Sequence, residues 1–120
     1  MADRVLLVSW GEPVRGREDR TLEVFNESMG FWGRAQQEGR IESFDVCLFV
    51  PNAVMDGFLR INGSADQLHA IKQDEGYQRL MIDTSLIVEH MHVAEGWANE
   101  GVARQMQLYA EAAAKVPQTV

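Results

Sequence analysis

The sequence predicts an α+β domain: a four-stranded antiparallel sheet, two helices on one of its faces, and a further helix at the carboxyl end. Three observations predict it. Four runs, RVLLVSW (4–10), RIESFDVCLFV (40–50), GFLRING (57–63) and LIVEHMHV (86–93), are rich in β-branched and aromatic residues, and the first two end at Gly11 and Pro51. Between the first and second, and again between the third and fourth, apolar residues recur at helical spacing. The order is therefore β-α-β-β-α-β and then α, the split β-α-β arrangement.

The elements follow in order. After the first strand, GEPVRGRED is a polar turn. The segment 21–39 carries Leu22, Phe25, Met29 and Trp32 at spacings of three, four and three, one face of a helix packed on the sheet. Gly30 and Gly33 each cost that helix about 1 kcal/mol relative to alanine, a cost that close packing against a neighbour would offset. Gly39 is the stop signal. Strands 40–50 and 57–63 form a hairpin across PNAVMD. Ser64, with Gln67 three residues on, has the capping-box pattern, and the helix it starts turns Leu68 and Ile71 inward. A break near Gly76 precedes a helical continuation to Ser85, with Tyr77 near a pocket mouth. Gly96 separates the fourth strand from a closing helix over 97–116, striped by Val102, Met106, Tyr109 and Ala113. No repeat or linker interrupts residues 1–120, so one domain is expected, with its core over 4–94.

The totals exclude several functions. The chain of 120 residues has a formal net charge of −7, and its arginines are scattered, so nucleic acid and anionic membranes are poor partners. A single cysteine, Cys47, rules out an internal disulfide and any paired-cysteine metal motif. No apolar run approaches the roughly 20 residues needed to cross a bilayer. The start, MADRVLLVSW, has no basic leader or cleavage-like stretch, and a cytoplasmic protein is expected.

Both faces of the strands are apolar. The aliphatic sets, Val46, Leu48 and Val50, then Leu59 and Ile61, then Met91 and Val93, belong under the helices. The opposite sets hold Cys47, Phe49, Phe58, Arg60, His90 and His92. Leaving Phe49 and Phe58 in water forgoes roughly 1.5–3 kcal/mol each, so that face needs a cover. The cover is the closing helix or, more economically, a second copy of the chain. Whether Ser9 or Trp10 faces the cover is open, because VLLVSW is apolar in both phases; Trp10 is read as core.

With these runs in this order (GRIESFDVCLFV after an amphipathic helix, then GFLRINGSADQLHAI, then a broken helix into LIVEHMHV), the chain resembles the dimeric α+β barrel superfamily of ferredoxin-like domains. The resemblance spans about residues 4–93 and rests on layout. It implies a homodimer with a pocket between each sheet and its helices or partner sheet. Small monooxygenases, muconolactone isomerase-like enzymes and EthD-like proteins share that architecture, so it implies no single chemistry.

The candidate catalytic residues are His90, His92 and Arg60, with Cys47, Phe49 and Phe58 lining the pocket. On a strand, His90 and His92 point the same way, about 6.5–7 Å apart along the backbone, which suits a proton shuttle, a binding pair or two ligands of a metal. A metal needs a third ligand, from Glu95 or the partner chain. HMHVAE is similar to the His-x-His plus Glu pattern of cupin metal sites, but Glu95 sits one residue too near and a second motif is absent. No metal and no cofactor are assigned. Arg60 is expected to be buried and to pair with Asp45, with Glu89 or with an anionic ligand. Cys47 is read as a small core residue and His69 as solvated. The site then takes a small, partly apolar organic molecule. If the protein is an enzyme, the chemistry is cofactor-free proton transfer or oxygenation, with one histidine as base and Arg60 stabilising a developing oxyanion. The alternatives are a packed structural dimer with no chemistry and a metal-binding dimer.

Overall fold

The run Arg4–Trp10 is apolar in both phases because it becomes an interior strand of the sheet. The computed structural model describes residues 2–119 and holds β1 (Arg4–Trp10), α1 (Glu18–Gln37), β2 (Ser43–Leu48), β3 (Gly57–Gly63), α2 (Ala65–Gln73), α3 (Glu75–Ser85), β4 (His92–Trp97) and α4 (Glu100–Ala113). The four strands are antiparallel in the order β2-β3-β1-β4, the expected split β-α-β topology. In register, Leu6 lies between Ile61 and Glu95, and Val8 between Leu59 and Val93.

The helix side of the sheet holds the core. Leu6, Val8, Leu59 and Ile61 meet Trp32 and Ala35 of α1, Leu68 and Ile71 of α2 and Tyr77 of α3. Trp32 is fully buried and meets Phe31 and Tyr77 edge-on, at ring separations of 4.9 and 6.0 Å. Tyr77 is thus a core residue, not the rim of a pocket. Burial, and then the charge of Glu95, pushes its phenol above the usual tyrosine value.

The inward stripe of α1 is Val24, Ser28, Trp32 and Ala35, not the expected Leu22–Phe25–Met29–Trp32. Trp32 belongs to both stripes. The helix is turned so that Val24, Ser28 and Ala35 flank Trp32 in the core, Met29 packs at its margin and Leu22 is 66% exposed. Gly30 and Gly33 do not mark close packing: a methyl group at Gly33 would meet nothing, and at Gly30 only the Arg34 side chain. Gly39, at φ 73°, ends the helix as expected.

The capping box of α2 forms as the sequence indicates, with Ser64 Oγ accepting from Gln67 N–H (3.1 Å) and Gln67 Oε1 from Ser64 N–H (2.8 Å). The helix break falls at Asp74, two residues before Gly76. Asp74 caps α3 by accepting from Gly76 N–H at 2.6 Å, and it pairs with Arg40. The Arg40 hydrogen bond, followed by that from Gly76, holds the Asp74 carboxyl below the usual carboxylate range.

The largest departure is at β4, which spans His92–Trp97 and not 86–93. Ile87 and Val88 are buried with Val24 and Leu80 as a plug between α1 and α3. The backbone there bonds to the turn after β1: Val14 N–H to Ile87 C=O (2.8 Å), Glu89 N–H to Glu12 C=O (2.8 Å) and Gly11 N–H to Glu89 C=O (2.7 Å). An apolar run of this length satisfies a strand pattern and a core plug equally well. The strand then continues through Gly96 to Trp97, so α4 starts at Glu100, three residues later than expected. β2 is shorter than 40–50 at both ends, and Asn52 organises the turn that follows it, its side-chain amide bonding the backbone of Val50, Val54 and Met55. No helix among the described residues is long and apolar enough to cross a membrane.

Candidate functional site

Alternation along each strand sends half of the side chains away from the helices. Three cross-strand rows make up that open face. The first is Cys47, Phe58, Ser9 and His92; the second Asp45, Arg60, Leu7 and Ala94; the third Ser43, Asn62, Val5 and Gly96. Ser9 therefore faces the open side, and Trp10 packs against the core beneath the helices. Phe49, just past β2, stays with this face, its ring 5.8 Å from that of Phe58. Five of the six sequence-derived site residues, Cys47, Phe49, Phe58, Arg60 and His92, thus share one surface.

His90 does not join them. It precedes β4 in irregular chain at φ 53°, a left-handed conformation uncommon for residues other than glycine. It lines a groove of about 200 Å³ with Glu12, Asn52, Asp56 and Glu89. Gly11 is needed beside it, since a methyl group there would sit 2.9 Å from the Glu89 carbonyl oxygen. The expected pair of parallel imidazoles is therefore broken by the late start of β4. Glu95 cannot complete a metal site with His92 either. It is opposite Leu6 on the helix side, where it pairs with Lys72. Among the described residues no three histidine, cysteine, aspartate or glutamate side chains come together as metal ligands.

Arg60 pairs with Asp45 (Nη2 to Oδ2, 2.9 Å), the structural bridge anticipated, and not with Glu89. The expectation of burial fails, because each of the two side chains is 54% exposed. Water screens such a pair to about 0–1 kcal/mol and leaves the guanidinium free to share its donors. Next to it, Asn62 Nδ2 donates to Ser43 Oγ at 3.1 Å. These polar groups, with Val5 and Trp97, line an open depression of about 500 Å³. Cys47 is likewise exposed and not a core residue, because β2 is an edge strand with nothing over this face.

One feature escaped the sequence reading. A cleft of about 460 Å³ opens between α1 and the β2–β3 turn, walled by Trp10, Leu22, Phe25, Leu48 and Phe49. It shares Glu12, Asn52 and Asp56 with the His90 groove. The available signal was Leu22, an apolar residue that the true phase of α1 leaves outside the core.

No family model and no curated protein matches the sequence. Solved structures do match. A dimeric protein of unknown function with a ferredoxin-like fold, from Bacteroides fragilis, superposes with a TM-score of 0.58 at 11% identity, over 79% of this chain and 96% of that one. The fold is ferredoxin-like. SnoaB, a cofactor-independent oxygenase from Streptomyces nogalater, superposes at a TM-score of 0.49 and 15% identity, over 82% of this chain and 93% of that one. At such identities the likeness concerns the path of the backbone. The ferredoxin-like domain here is thus a sheet whose helices cover β1 and β3 on one face but leave Val46, Leu48 and Val93, expected beneath them, 38%, 66% and 48% exposed at its edges, and whose other face carries phenylalanines, an imidazole, a thiol and a guanidinium.

Proposed function

We propose that the protein is a homodimer closed through the open faces of its two sheets, and that the lumen so formed binds a small, partly apolar organic molecule. One observation carries this reading: among the described residues, nothing of the chain covers Phe49, Cys47, Arg60 and His92, which are exposed on one face with half-buried Phe58. Phenylalanines, a guanidinium and an imidazole suit a ligand with an apolar body and an anionic group. From strand spacing and rise, the Cα atoms of Arg60 and His92 are about 12 Å apart, so the two side chains reach opposite ends of one small ligand. Arg60 anchors the anionic end, and the His92 imidazole, a proton donor and acceptor, acts at the other. The chemistry this arrangement supports is cofactor-free proton transfer or oxygenation of an activated substrate. The dimeric neighbour from Bacteroides fragilis is in keeping with the assembly.

A second reading is favoured by the apolar cleft beside α1. Its continuity with the His90 groove puts an imidazole and the carboxylates of Glu12 and Asp56 at one mouth.

A panel of hydroxylated aromatic acids tests both, with melting shift and oxygen uptake as readouts. The lumen reading expects a shift that falls at least tenfold in affinity in Arg60→Ala and His92→Ala and survives in His90→Ala. Loss in His90→Ala alone moves the site to the cleft. No shift with any member overturns ligand binding and leaves a packed structural dimer.

A further inference from the structure

The chain exposes more surface than its mass warrants. A compact monomer of 13.5 kDa exposes about 6,500 Å², and this chain exposes 8185 Å². Its radius of gyration is 17.2 Å, against about 13.6 Å for a compact chain of this length. The excess of about 1,700 Å² lies in the range that each subunit of an obligate homodimer buries.

Much of that excess lies in α4. Gly101 is its one buried residue, held against Trp97 and the Asp3 carbonyl. Val102, Met106 and Tyr109 form a stripe at i, i+4 and i+7 that is 47%, 59% and 68% exposed. At the far edge of the sheet lies an apolar patch of similar character. Val46 and Leu48 of β2, Val50 and Leu22 stand in solvent, and Leu22 and Leu48 wall the α1–β2 cleft. An edge strand so exposed invites pairing unless something covers it.

The two meet in a dimer whose two-fold axis runs along the strands. A two-fold axis along the strands reverses the order β2-β3-β1-β4, so β4 of one subunit lies over β2 of the other. α4 leaves β4 through a sharp turn at Asn99, φ 53°. Its 14 residues span about 21 Å, and the six of β2 span about 20 Å. We propose that α4 packs on the partner subunit, wrapping the free edge of its β2 so that Val102, Met106 and Tyr109 cover the partner's Val46 and Leu48. The two-fold repeats the contact, so each chain gives a helix and receives one. The inference rests on the homodimer reading above.

The test uses Cys47→Ser chains carrying either Met106→Cys or Leu48→Cys, mixed, allowed to exchange, and treated with a short bismaleimide. Sedimentation runs in parallel. The expected result is a product of twice the chain mass in the mixture and in neither chain alone. Met106→Glu is expected to raise the dimer dissociation constant at least tenfold with unchanged circular dichroism. A dimer with no mixed cross-link overturns the crossing of α4 and leaves the sheet-to-sheet dimer standing. A monomer at every concentration overturns both.

Discussion

The two faces of one sheet are built from the same strands and have opposite fates. On the helix side, Leu6, Val8, Leu59 and Ile61 are each no more than 4% exposed. On the other side, their neighbours Arg60, Cys47 and His92 are exposed and Phe58 is half-buried. Residues one step apart along a strand thus serve two separate purposes. The helix side is covered over β1 and β3 by α1, α2 and α3 and carries stability; the open side is the one the proposed dimer would cover. Its polar residues, Asp45, Arg60, Asn62, Ser43 and His92, keep that side tolerable in water.

Breaking the sealed side should cost the most. Trp32→Ala removes the largest fully buried side chain and is expected to lose about 3–5 kcal/mol in denaturant unfolding. A loss under 1 kcal/mol would mean that the core lies elsewhere. Breaking the open side should spare the fold and damage the assembly. Phe58→Asp is expected to leave the unfolding of the isolated chain within about 1 kcal/mol and to weaken the dimer by on the order of 100-fold, read by sedimentation. A large fold defect with an intact dimer would reverse the assignment of the two faces.

The smallest effect sharpens the sealed side. Asp74, held below its ordinary value of 3.8 by Arg40 and Gly76, contributes stability above that pH. The contribution fades as pH falls through the lower folded value. Asp74→Asn should therefore flatten the acid limb of the stability curve while lowering stability at neutral pH. An unchanged acid limb would mean that the Arg40 pair does not persist in solution.

Much of the fold was legible because local chemistry and tertiary packing agree. β1 and β3 carry strand residues from end to end, and Ser64 with Gln67 can do little but cap a helix. The errors share one cause: periodicity counts residues but not what they pack against. Leu22, Phe25, Met29 and Trp32 form a sound helical stripe, yet the core takes Trp32 together with Val24, Ser28 and Ala35, keeps Met29 at its margin and leaves Leu22 outside. Leu86–Val93 passes every strand criterion, yet Ile87 and Val88 fill the gap between α1 and α3, so the strand begins at His92. That shift separates His90 from His92 and turns Glu95 away. Five of the six candidate residues still share one surface, four of them because strand alternation depends on parity and not on where a strand starts, and Phe49 because its ring stays beside Phe58. Cys47 and Arg60 were read as buried because a single chain's sequence does not say which face its own helices leave bare.

Sedimentation equilibrium across the micromolar range tests the central claim most directly, because the open face is incomplete only if a second copy completes it. The account predicts a particle of twice the 13.5 kDa chain mass that persists on dilution. A monodisperse species at the chain mass, with the Cys47 thiol reacting as fast as a free peptide thiol, would contradict it.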